Sequence, residues 1–289
     1  MDRIRRGVQH FRNQVFPAHQ TLFQQLDEGQ SPAVLFITCS DSRVDPSLIT
    51  SSPPGVLFVL RNAGNLIPSS SHPIGGEAAT LDYAVRVLKV RHIVVCGHSR
   101  CGAMSHLMAE HSGPRPHPVD RWLEHAHPVL QETRRQFPTH RGEALVQAAI
   151  FLNALAQLKS LRTWPAVARA EAAGTLQLHA WVYEIHSGEV LAHDAQKSAF
   201  VPLEEASWEA PLIDDLRTWT ATLHAVGPHR ATVIDAVQRI TSWSLEDIRP
   251  LLTDPPQTLL QGLSHLEAEV VQSWLEEAGA TLTLERESG

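Results

Sequence analysis

Two short stretches about sixty residues apart carry the side chains best suited to chemistry: Cys39-Ser40-Asp41-Ser42-Arg43 and Gly97-His98-Ser99-Arg100-Cys101-Gly102. Two thiolates and one imidazole make three ligands of a tetrahedral ion and leave its fourth position open. Structural zinc is usually closed by four protein ligands, so a Cys₂His set points to a catalytic ion. Taken singly, Cys39, His98 and Cys101 read as two buried cysteines and a loop histidine. Their combination, and the His98-x-x-Cys101 spacing, favours a metal. Asp41, two residues beyond a ligand, faces either the ion or Arg43, or forms only a surface ion pair. Held by Arg43 it stays ionised and off the metal, leaving the open position to water, whose pKa zinc lowers to about 7. Cys96 lies inside an apolar run and reads as a small buried hydrophobe.

These residues need elements that bring them together. Each stretch follows a β-like run, Val34-Leu35-Phe36-Ile37 in one case and Ile93-Val94-Val95-Cys96 in the other. In a parallel sheet the loops at the carboxyl ends of neighbouring strands meet in one crevice. A further strand is expected at Val56–Leu60, and a strand pair within 176–191 that turns at Ser187-Gly188. Helical spacing covers 3–28, with Pro17 breaking or restarting the helix. Further helices are expected from Gly75-Gly76-Glu77, over 102–110, 119–136, 142–160 and 164–172. The Pro-rich run 111–120 reads as an exposed loop, and the acidic segment 201–215 as a linker. This alternation predicts an α/β fold, a mainly parallel β-sheet flanked by helices.

Composition narrows the class. With 43% apolar and 19% charged residues the chain is an ordinary globular protein. No run approaches the roughly 18 consecutive apolar residues of a membrane span, and no secretory h-region follows the charged N-terminus. Three cysteines argue against a disulfide framework and for a reducing, cytoplasmic compartment. Residues 211–289 hold five Arg, no Lys and twelve Asp or Glu, a net −7 that accounts for the whole chain's excess. That shift marks a domain boundary and disfavours a nucleic-acid surface on the C-terminal part.

With Arg61-Asn62-Ala63-Gly64-Asn65 added, the motifs resemble those of β-class carbonic anhydrases over about residues 3–205. The forms Gly29-Gln30-Ser31-Pro32 and Arg61–Asn65 resemble the carboxysomal type in particular. The resemblance implies one zinc ion on Cys39, His98 and Cys101, with Asp41 and Arg43 as catalytic dyad and reversible hydration of carbon dioxide to bicarbonate. It implies a substrate pocket of Gln30, Phe58, Ala63, Tyr83 and the Gly102 backbone N–H, although Phe58 and Tyr83 alone would read as core. Phe36, where bicarbonate-inhibited members carry Trp, implies the permanently accessible type, with Asp41 on Arg43. Ala63 stands where many members have Val. Dimers or dimer-based assemblies such as hexamers are implied, with the N-terminal helices wrapping the partner, and a location in the cytoplasm or within a carboxysome.

Beyond 205 the reading is a linker, 206–215, and a small α+β domain, 216–289. Its expected order is β-α-α-β-α-β, with helices over 229–240, 244–252 and 265–278, a capping box from Ser264 and a C-cap at Gly279. Val233–Val237, Ser244–Ile248 and Leu275–Ala280 resemble the C-terminal domain of the bacterial-type ribosomal stalk protein. That domain recruits translation factors through basic residues. Here Arg230 and Arg249 keep a cation, while Asp235, Gln238 and Glu246 do not. The expected role is a docking, assembly or regulatory module, with a carboxysome scaffold as one partner. The alternatives are a non-catalytic adaptor and a translation-linked protein.

Overall fold

The computed structural model describes residues 1–72, 75–109, 117–207, 219–241, 243–253, 256–263 and 265–286 of the 289-residue chain. Two compact units emerge, Ser31–Leu212 on one hand and Met1–Gln30 with Ile213–Gly289 on the other. The second boundary agrees with the charge shift. The N-terminal helices, by contrast, group with the C-terminal domain.

The N-terminal segment forms α1 (Asp2–His10), a π-helical turn over Phe11–Val15, α2 (Phe16–Ala18) and α3 (Gln20–Asp27). Pro17 sits in the first turn of α2, where its missing N–H costs nothing. The break comes two residues later at His19, with φ −127° and ψ 25°. Phe16 and Phe23 stack with centroids 5.1 Å apart, and Phe11 meets both edge-on.

In the large unit, β1 (Val34–Cys39), β2 (Leu57–Asn62), β3 (His92–His98) and β4 (Gln177–Tyr183) pair in parallel. The antiparallel strands β5 (Val190–Asp194) and β6 (Ala199–Pro202) complete the order β2-β1-β3-β4-β5-β6. β6 and a 3₁₀ turn at Leu203–Glu205 occupy part of what reads in sequence as linker; residues 208–218 lie outside the described residues. The chain goes from β1 to β2 on one side, then crosses back over β1 to β3 on the other, so the direction of winding reverses here. The crevice that opens at such a switch point lies outside the strands' carboxyl ends.

The helices of this unit are α4 (Pro46–Ile49), α5 (Gly76–Asp82), α6 (Gly102–Met108), α7 (Pro118–Leu123), α8 (His127–Gln136), α9 (Gly142–Arg162) and α10 (Pro165–Ala172). The expected exposed loop is cut short by α7, which Pro118 opens at a helix first turn; 110–116 lie outside the described residues. Leu35, Ile37, Ile93 and Val95 pack under Leu81, Leu107, Ile150 and Leu161. On the opposite face Phe36, Val94 and Cys96 form a smaller cluster with Trp181. α9 is long and apolar enough to cross a membrane by length and composition, yet it packs on β3 and β4 and buries Asn153 and Gln157 there.

The C-terminal domain runs β7 (Trp219–Ala225), α11 (Arg230–Thr241), α12 (Leu245–Leu251), β8 (Gln257–Leu263), α13 (His265–Glu277), β9 (Thr281–Arg286), in the expected order. Its antiparallel sheet, β8-β7-β9, packs Leu223, Leu259 and Leu282 against Val233, Val237, Ile248 and Leu275. Ser244 and Asp247 form a reciprocal capping box at α12. Gly279, at φ +92°, ends α13 with Ala280 N–H on the Leu275 carbonyl at 2.8 Å. The capping box expected from Ser264 lies outside the described residues.

Candidate metal centre

β1 and β3 run in register, Thr38 beside Cys96, so their last residues, Cys39 and His98, emerge side by side. Cys101 is the N-cap of α6, three residues on. All three side chains are buried, and their ligand atoms lie within 4.8 Å of one another. The sequence separation of about sixty residues is closed by one strand pairing.

The donor set fits a metal. His98 Nδ1–H donates to the Ser99 carbonyl at 3.0 Å, which fixes the tautomer and leaves the Nε2 lone pair facing the two sulfurs. That Nε2 is buried without a hydrogen-bond partner. An unpaired buried polar atom is costly, and a cation is the partner the surroundings offer. Cys101, then His98 and the backbone N–H groups of Gly64 and Asp41, pull the Cys39 thiol down against its desolvation. The Cys39 sulfur and burial push Cys101 up. Two sulfurs held this close, one of them favouring its thiolate, suit a soft or borderline ion. Cys96 differs: burial raises its thiol to about 12, and it lies inside β3 as an inert core residue.

Asp41 is held in a fork. Arg43 Nε donates to Oδ1 at 2.9 Å and Nη2 to Oδ2 at 2.8 Å, while the Arg43 backbone N–H adds a bond to Oδ1 at 3.0 Å. The guanidinium holds the carboxyl well below the usual carboxylate range, outweighing desolvation. Oδ2 lies 3.9 Å from His98 Nε2, at the edge of the ligand cluster. Of the alternatives open in sequence, Asp41 on Arg43 is the one observed.

The residues that brace the two loops come from distant parts of the chain. Gly64, at φ +82°, sends its N–H to Cys39 Sγ at 3.4 Å, and a side chain there would press on Ala103 and Met104. Its carbonyl accepts from Asn153 Nδ2 at 2.9 Å; Gln157 Nε2 in turn donates to Asn153 Oδ1 at 2.9 Å. Arg61 braces the other loop, donating to the carbonyls of Cys39 and Asp41 at 3.1 and 2.7 Å. The signal for Asn153 and Gln157 is two amides spaced i,i+4 within the otherwise apolar run 148–158.

The expected pocket residues are distributed unevenly. Phe58 and Tyr83 face each other with ring centroids 6.0 Å apart, Tyr83 remaining 44% exposed. Ala63 is half-buried, its carbonyl accepting from Trp122 Nε1 at 2.7 Å, and Gly102 is exposed in the first turn of α6. Gln30 is exposed in the turn after α3 and belongs to the other unit. Phe36 is fully buried, edge-on to Trp181 at 6.0 Å.

Residues 34–190 match the family model described as carbonic anhydrase, and residues 219–285 that of the ribosomal protein L7/L12 C-terminal domain. A carbonic anhydrase from Synechocystis is 46% identical over 70% of this chain and 74% of its own length. The solved β-carbonic anhydrase CcaA is likewise 46% identical, with a TM-score of 0.68 over 70% of this chain and 98% of that one. A tetrameric β-carbonic anhydrase from Sordaria macrospora is 30% identical, with a TM-score of 0.56 over 66% of this chain and 92% of that one. A buried Cys-His-Cys group at the ends of two parallel strands and the start of α6, a forked Asp-Arg pair beside it and these likenesses agree: the chain belongs to the β-class carbonic anhydrases and carries a domain of ribosomal-stalk type at its C-terminus.

Proposed function

We propose that Cys39, His98 and Cys101 hold one zinc ion per chain and that Asp41 and Arg43 serve as the dyad of its carbon dioxide hydration. The observation that carries this is the buried His98 Nε2, which has no hydrogen-bond partner and lies with the Cys39 and Cys101 sulfurs in a cluster whose ligand atoms are within 4.8 Å of one another. Bound there, zinc supplies a Lewis acid that brings the pKa of water near 7. The chain's own residues do the rest. Arg43 engages both oxygens of Asp41, so the carboxylate stays ionised and aimed, ready to accept a hydrogen bond at Oδ2 and orient the nucleophile. The Ser99 carbonyl fixes the His98 ring, and Gly64 N–H and Arg61 hold the Cys39 loop. Phe58, Ala63 and Tyr83 offer an apolar wall to an uncharged substrate, while the Gly102 N–H polarises it. Stopped-flow hydration and metal analysis test this: Asp41→Asn keeps its zinc but loses turnover, and Cys101→Ser loses both.

The finer reading is an enzyme of carbon fixation, cytoplasmic and housed in a carboxysome, working as a dimer or a dimer-based assembly. The Gly29–Pro32 and Arg61–Asn65 motifs and the tetrameric Sordaria relative support it. The C-terminal domain serves docking, assembly or regulation, since it has its own apolar core and carries the chain's acidic excess. An intact ligand set speaks against a non-catalytic adaptor. Deleting 212–289 separates the roles: hydration that persists with altered localisation or oligomer size marks a docking module, and lost hydration marks a regulatory one.

A further inference from the structure

We infer that Arg100 is a positioning residue for the dyad, acting through its left-handed backbone and carbonyl, and not through its charge. This rests on the reading of Asp41 and Arg43 as the dyad. Arg100 sits between His98 and Cys101 at φ +55°, a conformation that glycine adopts freely, asparagine tolerates and most other residues avoid. Its neighbours fix that conformation. Ser99 N–H donates to the Tyr183 carbonyl at 2.9 Å, and Ser99 Oγ accepts from Ile185 N–H at 3.0 Å. On the other side the Cys101 carbonyl already accepts from Ser105 N–H at 2.9 Å as α6 begins. One residue is left to turn the chain between two anchored ends, and only the left-handed region does so.

The turn aims the Arg100 carbonyl at Arg43, whose Nη2 donates to it at 3.2 Å. The same Nη2 donates to Asp41 Oδ2 at 2.8 Å. The guanidinium is thus fixed from two directions, and the loop bearing Cys39 is tied to the loop bearing His98 and Cys101. The tie matters because the Arg43 side chain is 46% exposed and borders an open cavity of about 570 Å³ with Glu143, Gln147, Glu184 and His186. Without the carbonyl, that space lets the fork swing away from Asp41. The Arg100 side chain does little by comparison: its Nε meets Glu143 Oε1 at 3.2 Å, with both groups more than two-thirds exposed. Exposed ion pairs of this kind contribute little. Strain held at one residue beside a functional group is a recurrent device for fixing geometry.

The test compares substitutions at this one position in the full-length, zinc-loaded enzyme, with kcat/KM for hydration and zinc content measured together. Arg100→Gly and Arg100→Asn, which accept the left-handed region, hold kcat/KM within about twofold of the parent. Arg100→Val, whose branched side chain resists it, lowers kcat/KM about tenfold with zinc retained, and Arg100→Ala about threefold. In an Arg43→Lys background Arg100→Val has no further effect, because the fork it positions is already gone. Full kcat/KM in Arg100→Val, equal losses in Arg100→Gly and Arg100→Val, or a tenfold loss that persists in the Arg43→Lys background overturns the inference. If Arg100→Val does not fold, Arg100→Ala against Arg100→Gly decides by the same criterion. Full turnover in Asp41→Asn instead overturns the dyad reading itself.

Discussion

The interior of residues 31–212 holds Thr38, Asn62, His98, Asn153, Gln157 and Asp194, whereas every buried side chain among the described residues of 219–286 is apolar. Both regions are α/β in content and both bury a sheet under helices, so the contrast is one of chemistry. A buried polar group needs a partner, and each partner fixes a geometry. In the large unit those partners converge on the ligand loops: Asn153 on the Gly64 carbonyl, Gln157 on Ile67 N–H, Ser99 on His98. In the small domain no such buried network exists among the described residues, and the chain's acidic excess falls in 211–289. The polar points of the large unit's interior lie where the ligand cluster and the loops that hold it meet.

That contrast can be broken experimentally. Removing a ligand gives the largest effect: Cys101→Ala lowers hydration at least about 100-fold in stopped flow and leaves the thermal transition of the small domain in place. Leu275→Ala, in the apolar core, costs about 2–5 kcal/mol of the small domain's stability in denaturant titration yet leaves kcat/KM unchanged. Acid exposes the polar interior next. His179 pairs with His92 at 3.2 Å, and burial together with His92 lowers its imidazole to about 4. Its folded value lies below its unfolded one, so neutral His179 stabilises above pH 6.5 and that contribution is lost between pH 6.5 and 4, up to roughly 3 kcal/mol. A His179→Gln variant should show a flatter stability–pH curve over that window. Asn153→Ala leaves the Gly64 carbonyl unpaired and costs about 1–3 kcal/mol, with a fall in kcat/KM that Leu275→Ala does not share. Smallest is Ser244→Ala, which removes the α12 cap for about 1 kcal/mol and changes no activity.

Much of this is legible in the amino-acid sequence. The ligand set, the Asp41–Arg43 pair and the order of elements in the small domain all follow from short-range pattern, because caps, turns and strand runs are local. What was not legible depends on distant partners. Asn153 and Gln157 have meaning only once α9 lies over the 62–67 loop, about ninety residues away in sequence. β6 escaped notice because Ala199–Pro202 is short and ends in Pro, which is tolerated at a sheet edge but reads as a linker. The helix break falls at His19 and not at Pro17, since proline fits the first turn of a restarted helix. Gln30 was named for the pocket by resemblance alone, and its place with the N-terminal unit is a property of tertiary contacts that no local motif encodes.

The account turns on the buried ligand cluster doing chemistry, and one paired measurement tests it: zinc per chain and initial carbon dioxide hydration rate on the same full-length preparation, beside Asp41→Asn. One zinc per chain with fast hydration, falling sharply in Asp41→Asn while the zinc remains, is the predicted result. Zinc bound stoichiometrically with no hydration from mildly acidic to mildly alkaline pH would contradict it.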